Sequence, residues 1–304
     1  MYCNYFVPLR SVMAHSNSTH SRRRRLTKKQ RQRRRRLVII IVAVALLLVP
    51  AVSIFTLWWR GLLPTREELP RYKERLLIML QGWKHTRLPE AEVIGIDISH
   101  YQANIDFGKL CFHIDNTRIL YSSAKKDTKT RPVDFVIAKA TQGSRMQDAY
   151  YNRYKQGCRE QNILFGAYHF YSLHSSATAQ ADNFIRFAQL QKGDIVPVLD
   201  IEPVDGQLPV RDSVAKWLHI VERYYRARPV IYTNENTYKH YFAKSERLLS
   251  YPFWIARYGG REPSRHHIMW QCAESGKAGG VSGPVDIDVF RGTMADLKHL
   301  YVMK

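Results

Sequence analysis

Residues 195–203 read Ile-Val-Pro-Val-Leu-Asp-Ile-Glu-Pro. Apolar residues and a proline lead into Asp200-Ile201-Glu202, and Pro203 then withdraws a backbone donor and ends the run as a central strand. In a strand, residues i and i+2 share a face with Cα atoms about 6.5–7 Å apart. Asp200 and Glu202 therefore stand side by side at a strand end, with Ile201 packed on the opposite face. Two acids so close resist simultaneous ionisation, which drives their pKa values apart. One protonated and one ionised carboxyl is what acid-assisted bond cleavage requires. The D-x-E pair alone is common, so its setting decides its meaning.

Outward from that stretch, strand and helix signals alternate. Residues 93–98, 133–138, 163–170, 195–202 and 229–233 read as strands by their apolar, β-branched content. Between and after them lie helices. One covers 146–162, with Tyr150, Tyr154 and Cys158 on a stripe. A second, capped by Ser175 or Ser176, buries Ala177, Ala181, Phe184 and Ala188. A third buries Val214, Trp217, Leu218, Val221 and Tyr225, and a shorter one follows at about 236–248. The polar segment 113–131 reads as a surface loop. Beyond 250 the rhythm changes to three apolar runs, 253–258, 268–272 and 285–290, joined by Gly-rich loops too short for helices. Five strand–helix units followed by three strands predict an α/β, irregular TIM-like barrel. In such barrels the reacting groups gather where strands end. The predicted ends carry Asp97, Lys139, His169, Asp200, Glu202, Tyr232, Trp254 through Tyr258, Trp270, Gln271 and Asp286.

The net charge of +21 is a property of the N-terminus. Residues 1–36 hold 12 Lys and Arg and no acid, whereas residues 89–304 hold 28 basic and 23 acidic side chains. The 23 residues 37–59 carry no charge; as a helix they extend about 34 Å, enough for the hydrocarbon core of a bilayer. Arg33–Arg36 precede this run and Trp58, Trp59 and Arg60 close it. The expected topology is a single span with residues 1–36 in the cytoplasm and the remainder outside. No aromatic residue is interleaved among the arginines of 22–36, so a topology signal and lipid contact are expected there rather than nucleic-acid binding. Residues 60–92 read as a stem, with an amphipathic helix running from Leu69 to Trp83. Outside the membrane the domain 93–304 would hold Cys111, Cys158 and Cys272, an odd number whose spacing does not select a disulfide pair. No Cys/His cluster has zinc-ligand spacing, and no cofactor is expected.

Seven blocks in register resemble the glycoside hydrolase family 25 muramidases: GIDISHYQANIDF (95–107), FVIAKATQG (135–143), GAYHF (166–170), PVLDIE (197–202), VIYTN (230–234), FWIARY (253–258) and MWQ with GPVDIDVFRG (269–271, 283–292). The resemblance spans about 93–295. It implies cleavage, with retention, of the β-1,4 bond between N-acetylmuramic acid and N-acetylglucosamine in peptidoglycan. By position it implies Glu202 as proton donor, with Asp200, Asp97 and Asp286 as further site acids. The nucleophile is either a carboxylate or the sugar's own 2-acetamido group, and the i,i+2 pair favours the second, with Asp200 orienting that group. That arrangement resembles substrate-assisted hydrolases. Tyr101, Tyr168, His169, Tyr232, Trp254, Tyr258, Trp270 and Gln271 are the candidate substrate contacts. Tyr168, Tyr232, Trp254 and Trp270 either stack on pyranose rings or belong to the core, Tyr101 lines the rim, and His169 is either a wall of the cleft or a satisfied half-buried histidine. The chain departs from the family pattern at Gln142, at Tyr101 and at Asp288, an extra acid given no step. The expectation is a muramidase anchored in a bacterial cytoplasmic membrane and facing the wall. The alternative is a catalytically silent module that tethers a membrane complex to peptidoglycan.

Overall fold

The computed structural model describes residues 86–204, 206–263 and 266–304. The basic tail, the apolar run 37–59 and the amphipathic stem segment lie outside those residues. Among the described residues no helix is long and apolar enough to cross a membrane.

Eight strands close into a barrel. In chain order they are β1 (Val93–Ile98), β5 (Phe135–Gln142), β7 (Leu164–Phe170), β8 (Val198–Asp200), β9 (Val230–Asn234), β10 (Phe253–Ala256), β11 (His267–Gly276) and β12 (Val285–Phe290). Each pairs with the next, and β1 pairs with both β5 and β12, which completes the ring. From β1 through β5, β7, β8, β9, β10 and β11 every pairing is parallel. Only β12 runs against its two neighbours. A short connection, 277–284, joins β11 to β12; a parallel return would need a crossover of a dozen residues or more. Gly280 shapes that connection at φ +80, and a Cβ there would lie 2.3 Å from the Asp106 carbonyl oxygen.

The helices are α1 (Tyr151–Glu160), α2 (Ala177–Ala188), α3 (Arg211–Tyr225), α4 (Glu235–His240), α5 (Glu246–Leu249) and α6 (Met294–Tyr301). Helix α2 follows the sequence closely: Ser176 accepts from the Ala179 amide, and Ala177, Ala181, Phe184 and Ala188 are buried. Such a cap contributes about 1 kcal/mol. Helix α3 buries Val214, Trp217, Leu218 and Val221 as expected, while Tyr225 is only partly covered. Helix α6 was not expected; Thr293 and Asp296 form a capping box at its start. The chain end beyond it is tied to the barrel through Val196 N–H to the Tyr301 carbonyl and Met303 N–H to the Asp194 carbonyl.

Three expectations are corrected. First, β1 has no helix of its own, so there are four strand–helix units rather than five. The place of the first helix is taken by a three-stranded antiparallel sheet of β2 (Cys111–Ile114), β3 (Leu120–Tyr121) and β4 (Lys129–Pro132), within the supposed surface loop. Phe112 and Leu120 are its buried anchors, and two buried positions in the 22 residues 111–132 leave no periodic signal. Its hairpin is held by Asp115, whose carboxylate accepts from Thr117 and Ile119 amides and from two hydroxyls. Those donors, the Ile119 amide first, bring the Asp115 pKa down to about 2.

Second, the 195–202 strand is shorter. Ile195 bridges to Val302, so only Val198–Asp200 joins the barrel ladder. Third, 236–248 is broken into α4, a 3-10 turn at Phe242–Lys244, and α5. The small strand β6 (Met146–Gln147) extends the edge of β5. Cys111, Cys158 and Cys272 are all free, on β2, α1 and β11 respectively.

Candidate active site

Cross-strand register decides which side chains enter the barrel. Paired residues on neighbouring strands point to the same face. Lys139 pairs with Tyr168, Tyr168 with Val198, Phe170 with Asp200, Asp200 with Tyr232, Tyr232 with Trp254, and Ala256 with Gln271. Gln271 pairs with Asp288, and Asp286 with Asp97. These residues form the inner face. At its mouth is a pocket of about 520 Å³, counting the space open to solvent. Its carboxyls are Asp97, Asp200, Glu202, Glu274 and Asp286; its walls are Tyr168, Tyr232, Trp254, Tyr258 and Gln271.

Glu202 extends beyond the end of β8. Tyr171 N–H donates to the Asp200 carbonyl at 2.9 Å and Ile201 N–H to the Tyr232 carbonyl at 3.0 Å. The chain leaving β8 is thus pinned from both sides, and both carboxyls face the pocket. Asp97 is held by Gln271, whose Nε2 donates to Asp97 Oδ2 at 2.6 Å. Gln271 Oε1 in turn accepts from the hydroxyls of Tyr232 at 2.8 Å and Tyr258 at 2.6 Å. The glutamine therefore joins two walls of the pocket to an acid. The Tyr232 ring meets Trp254 edge-on at 4.6 Å.

All four acids expected from the sequence line this pocket, as do Tyr168, Tyr232, Trp254, Tyr258 and Gln271. His169, Trp270 and Tyr101 do not. His169 follows inward-facing Tyr168, and a period of two turns it outward. It is wholly buried between the barrel and helices α2 and α3, stacked on Trp217 at 5.4 Å. Gln180 Oε1 already accepts from the Ser172 amide while its Nε2 donates to two carbonyls. Hence His169 Nε2 is the donor to Gln180 at 3.1 Å, and its Nδ1 accepts from Thr141 Oγ1 at 2.7 Å. Burial holds its pKa down at about 3, so the ring is neutral.

Trp270 precedes inward-facing Gln271 and is turned outward by the same rule, its indole N–H donating to the Arg257 carbonyl at 2.6 Å. It lines a separate surface pocket together with Glu262, Val289 and residues 89–92. Tyr101 is half-buried on the loop after β1, tilted against His100. Asp148 fixes that loop, accepting from the His100 backbone amide and lying 3.0 Å from its Nδ1.

Two acids were not assigned from the sequence. Glu274 reaches the pocket because β11 is irregular on both sides of Ala273, and a bulge resets which residues face inward. Asp288 lies two residues deeper than Asp286 on β12, fully buried. Among the described residues no group of three His, Cys, Asp or Glu side chains is arranged to hold a metal ion.

A closed barrel with a D-x-E pair at its mouth, facing acids across the cleft and aromatic walls, has the layout of a carbohydrate-cleaving enzyme. The chain belongs to glycosyl hydrolases family 25, whose family model matches residues 96–281. It is 34% identical over 219 residues to the uncharacterized protein YegX of Escherichia coli (strain K12), covering 70% of this chain and 75% of that one. To Lysozyme M1 of Streptomyces globisporus it is 29% identical over 226 residues, covering 68% and 71%. Among solved structures, the bacterial lysozyme from Streptomyces coelicolor superimposes with a TM-score of 0.59 at 26% identity, over 70% of this chain and 98% of that one. The family 25 glycosyl hydrolase from Bacillus anthracis has the same fold, with a TM-score of 0.57 at 24% identity, over 71% and 96%. The protein is a glycoside hydrolase of the lysozyme, or muramidase, type.

Proposed function

We propose that this chain is a membrane-anchored peptidoglycan hydrolase that cleaves the β-1,4 bond between N-acetylmuramic acid and N-acetylglucosamine, with Glu202 as general acid. The observation that carries the reading is the meeting of Asp97, Asp200, Glu202 and Asp286, from three distant parts of the chain, in one aromatic-walled pocket. Glu202, half-buried beyond the strand end, gives its proton to the bridging oxygen. Asp200, buried beside it, orients and polarises the 2-acetamido group as the anomeric carbon becomes electron-deficient. Asp97 and Asp286, paired across β1 and β12, face the developing positive charge. Tyr168, Tyr232, Trp254 and Tyr258 present ring faces and edges to the sugar. The anchor in this reading is the run 37–59. Arg33–Arg36 hold the N-terminus in the cytoplasm, and the barrel faces the wall of a bacterial inner membrane.

The test is release of reducing muramic ends from purified peptidoglycan by the full chain in detergent. Glu202→Gln should lower kcat by about 10²- to 10⁴-fold, the usual contribution of a positioned general acid. Equal rates for the two proteins remove Glu202 from the role. Anchoring is tested separately by alkaline carbonate extraction of membranes. The chain should stay in the pellet, and a variant lacking 37–59 should not; release of the intact chain sinks the anchor.

A further inference from the structure

Asp288 is the most deeply set acid of the inner face, and the mechanism above leaves it unused. It lies on β12 opposite Gly95 of β1 and Gln271 of β11. Gln271 is itself the donor to Asp97. The Asp97 carboxyl and the Trp254 indole are turned toward Asp288. Neither Asp288 oxygen receives a well-formed hydrogen bond from a donor among the described residues. The titratable groups facing it are Asp97 from β1, Asp286 from its own strand and the Cys272 thiol from β11. No cation is among its strongest influences.

A fully buried carboxylate with no well-formed hydrogen bond and only the Trp254 indole turned toward it as a donor, set against two further acids, is a costly arrangement for a protein interior. The same group as a neutral acid carries a hydrogen-bond donor of its own, and the Asp97 carboxylate is there to accept it. A neutral acid of this kind, held by an apolar surround, is an established way to place a hydrogen bond in an active site.

We propose that Asp288 is a positioning residue: a neutral carboxylic acid that donates a hydrogen bond to Asp97 and fixes that carboxylate at the pocket, opposite the bond from Gln271. Gln271 and Asp288 then act as two donors from adjacent strands onto one acceptor. Burial, followed by the charges of Asp97 and Asp286, holds the Asp288 pKa well above the ordinary carboxylate range. As pH rises through that raised value, Asp288 loses its proton, the donor becomes a second anion beside Asp97, and the arrangement fails. The activity therefore gains a second alkaline limb, set inside the barrel and lying above the one that loss of the Glu202 proton sets. This inference rests on the assignment of Asp97 to the substrate-facing machinery.

The experiment uses the full chain in detergent as wild type, Asp288→Asn and Asp288→Ala. Asn keeps a donor and cannot ionise; Ala supplies neither. In peptidoglycan hydrolysis Asp288→Ala should lose about 10- to 100-fold in kcat with KM changed by less than about threefold, and Asp288→Asn should recover most of that loss. The upper of the two alkaline limbs of kcat/KM should vanish in Asp288→Asn, leaving the limb set by Glu202 in place. Infrared spectra recorded without substrate at neutral pH, on protein with carbon-13 aspartate, should show the carbonyl band of a neutral carboxylic acid that Asp288→Asn lacks. An upper alkaline limb unchanged in Asp288→Asn overturns the proposal, and so does a wild-type spectrum without that band. The spectrum needs no turnover, so it decides the matter even if the muramidase assignment fails or Asp288→Ala does not fold.

Discussion

The parallel arc of the barrel and its antiparallel seam both supply acids to the pocket, and they do so at different depths. In the arc, β8 ends in Asp200 and the chain leaves the ladder before Glu202, so the pair stands at the rim, where parallel barrels keep their reacting groups. In the seam, β12 runs the other way. Its second residue, Asp286, is the one at the rim, and each later inward residue lies about 6.5–7 Å further down. Asp288 is accordingly sealed at 0% exposure, against 4% for Asp286. Beyond the strand end in the arc, Glu202 keeps the partial access to water that a proton donor needs, while Asp200 at 3% is as buried as Asp286. The seam places acids inside the wall, where they are set by neighbours rather than by solvent.

Gln271→Leu tests the seam with the larger expected effect. It removes the donor to Asp97 and the shared acceptor of the Tyr232 and Tyr258 hydroxyls. Each unmet buried polar group costs about 1–3 kcal/mol, so kcat/KM should fall about 100-fold. A value within threefold of wild type would show that the glutamine does not organise the site.

His169→Gln tests the arc from its outer side, with a smaller effect confined to stability. The folded-state pKa of His169 lies at about 3, below its ordinary value of 6.5. Below pH 6.5 the unfolded chain therefore binds the proton that the folded chain refuses. The stability His169 contributes is complete above pH 6.5 and is lost as pH falls toward 3, at about 1.4 kcal/mol per pH unit. Subtracting the unfolding free energies of His169→Gln from those of wild type between pH 7 and pH 4 should show this slope, with kcat/KM unchanged within about twofold. A flat difference, or a large loss of turnover, would return His169 to the pocket. Buried Asp288 contributes with the opposite sign, losing stability as pH rises above the normal carboxylate range, so only such differences between variants separate the two groups.

Much of this molecule was legible in its residues, because burial on both faces writes continuous apolar strands and helix stripes write a 3–4 spacing. Val93–Ile98 and Val285–Phe290 coincide with their apolar runs, and the α2 stripe emerged residue for residue. The D-x-E pair, Asp97 and Asp286 were visible because each closes or opens such a run. The sheet at 111–132 was not visible, since it is held by Phe112, Leu120 and an aspartate-centred turn rather than by a pattern. Strand alternation sends adjacent residues to opposite faces, so Tyr168 with His169, and Trp270 with Gln271, cannot both meet the substrate within each pair.

Strands, helix faces and the acids that close or open the strands are local consequences of polarity and spacing, so they can be read along the chain. The face each strand shows the pocket, the inverted run of β12, and the entry of Glu274 and Asp288 into the inner wall come only with the closed barrel. Those outcomes follow from register, bulges and chain direction. They are fixed by hydrogen bonds between segments nearly two hundred residues apart, such as Gln271 and Asp97, and no window of sequence contains both partners.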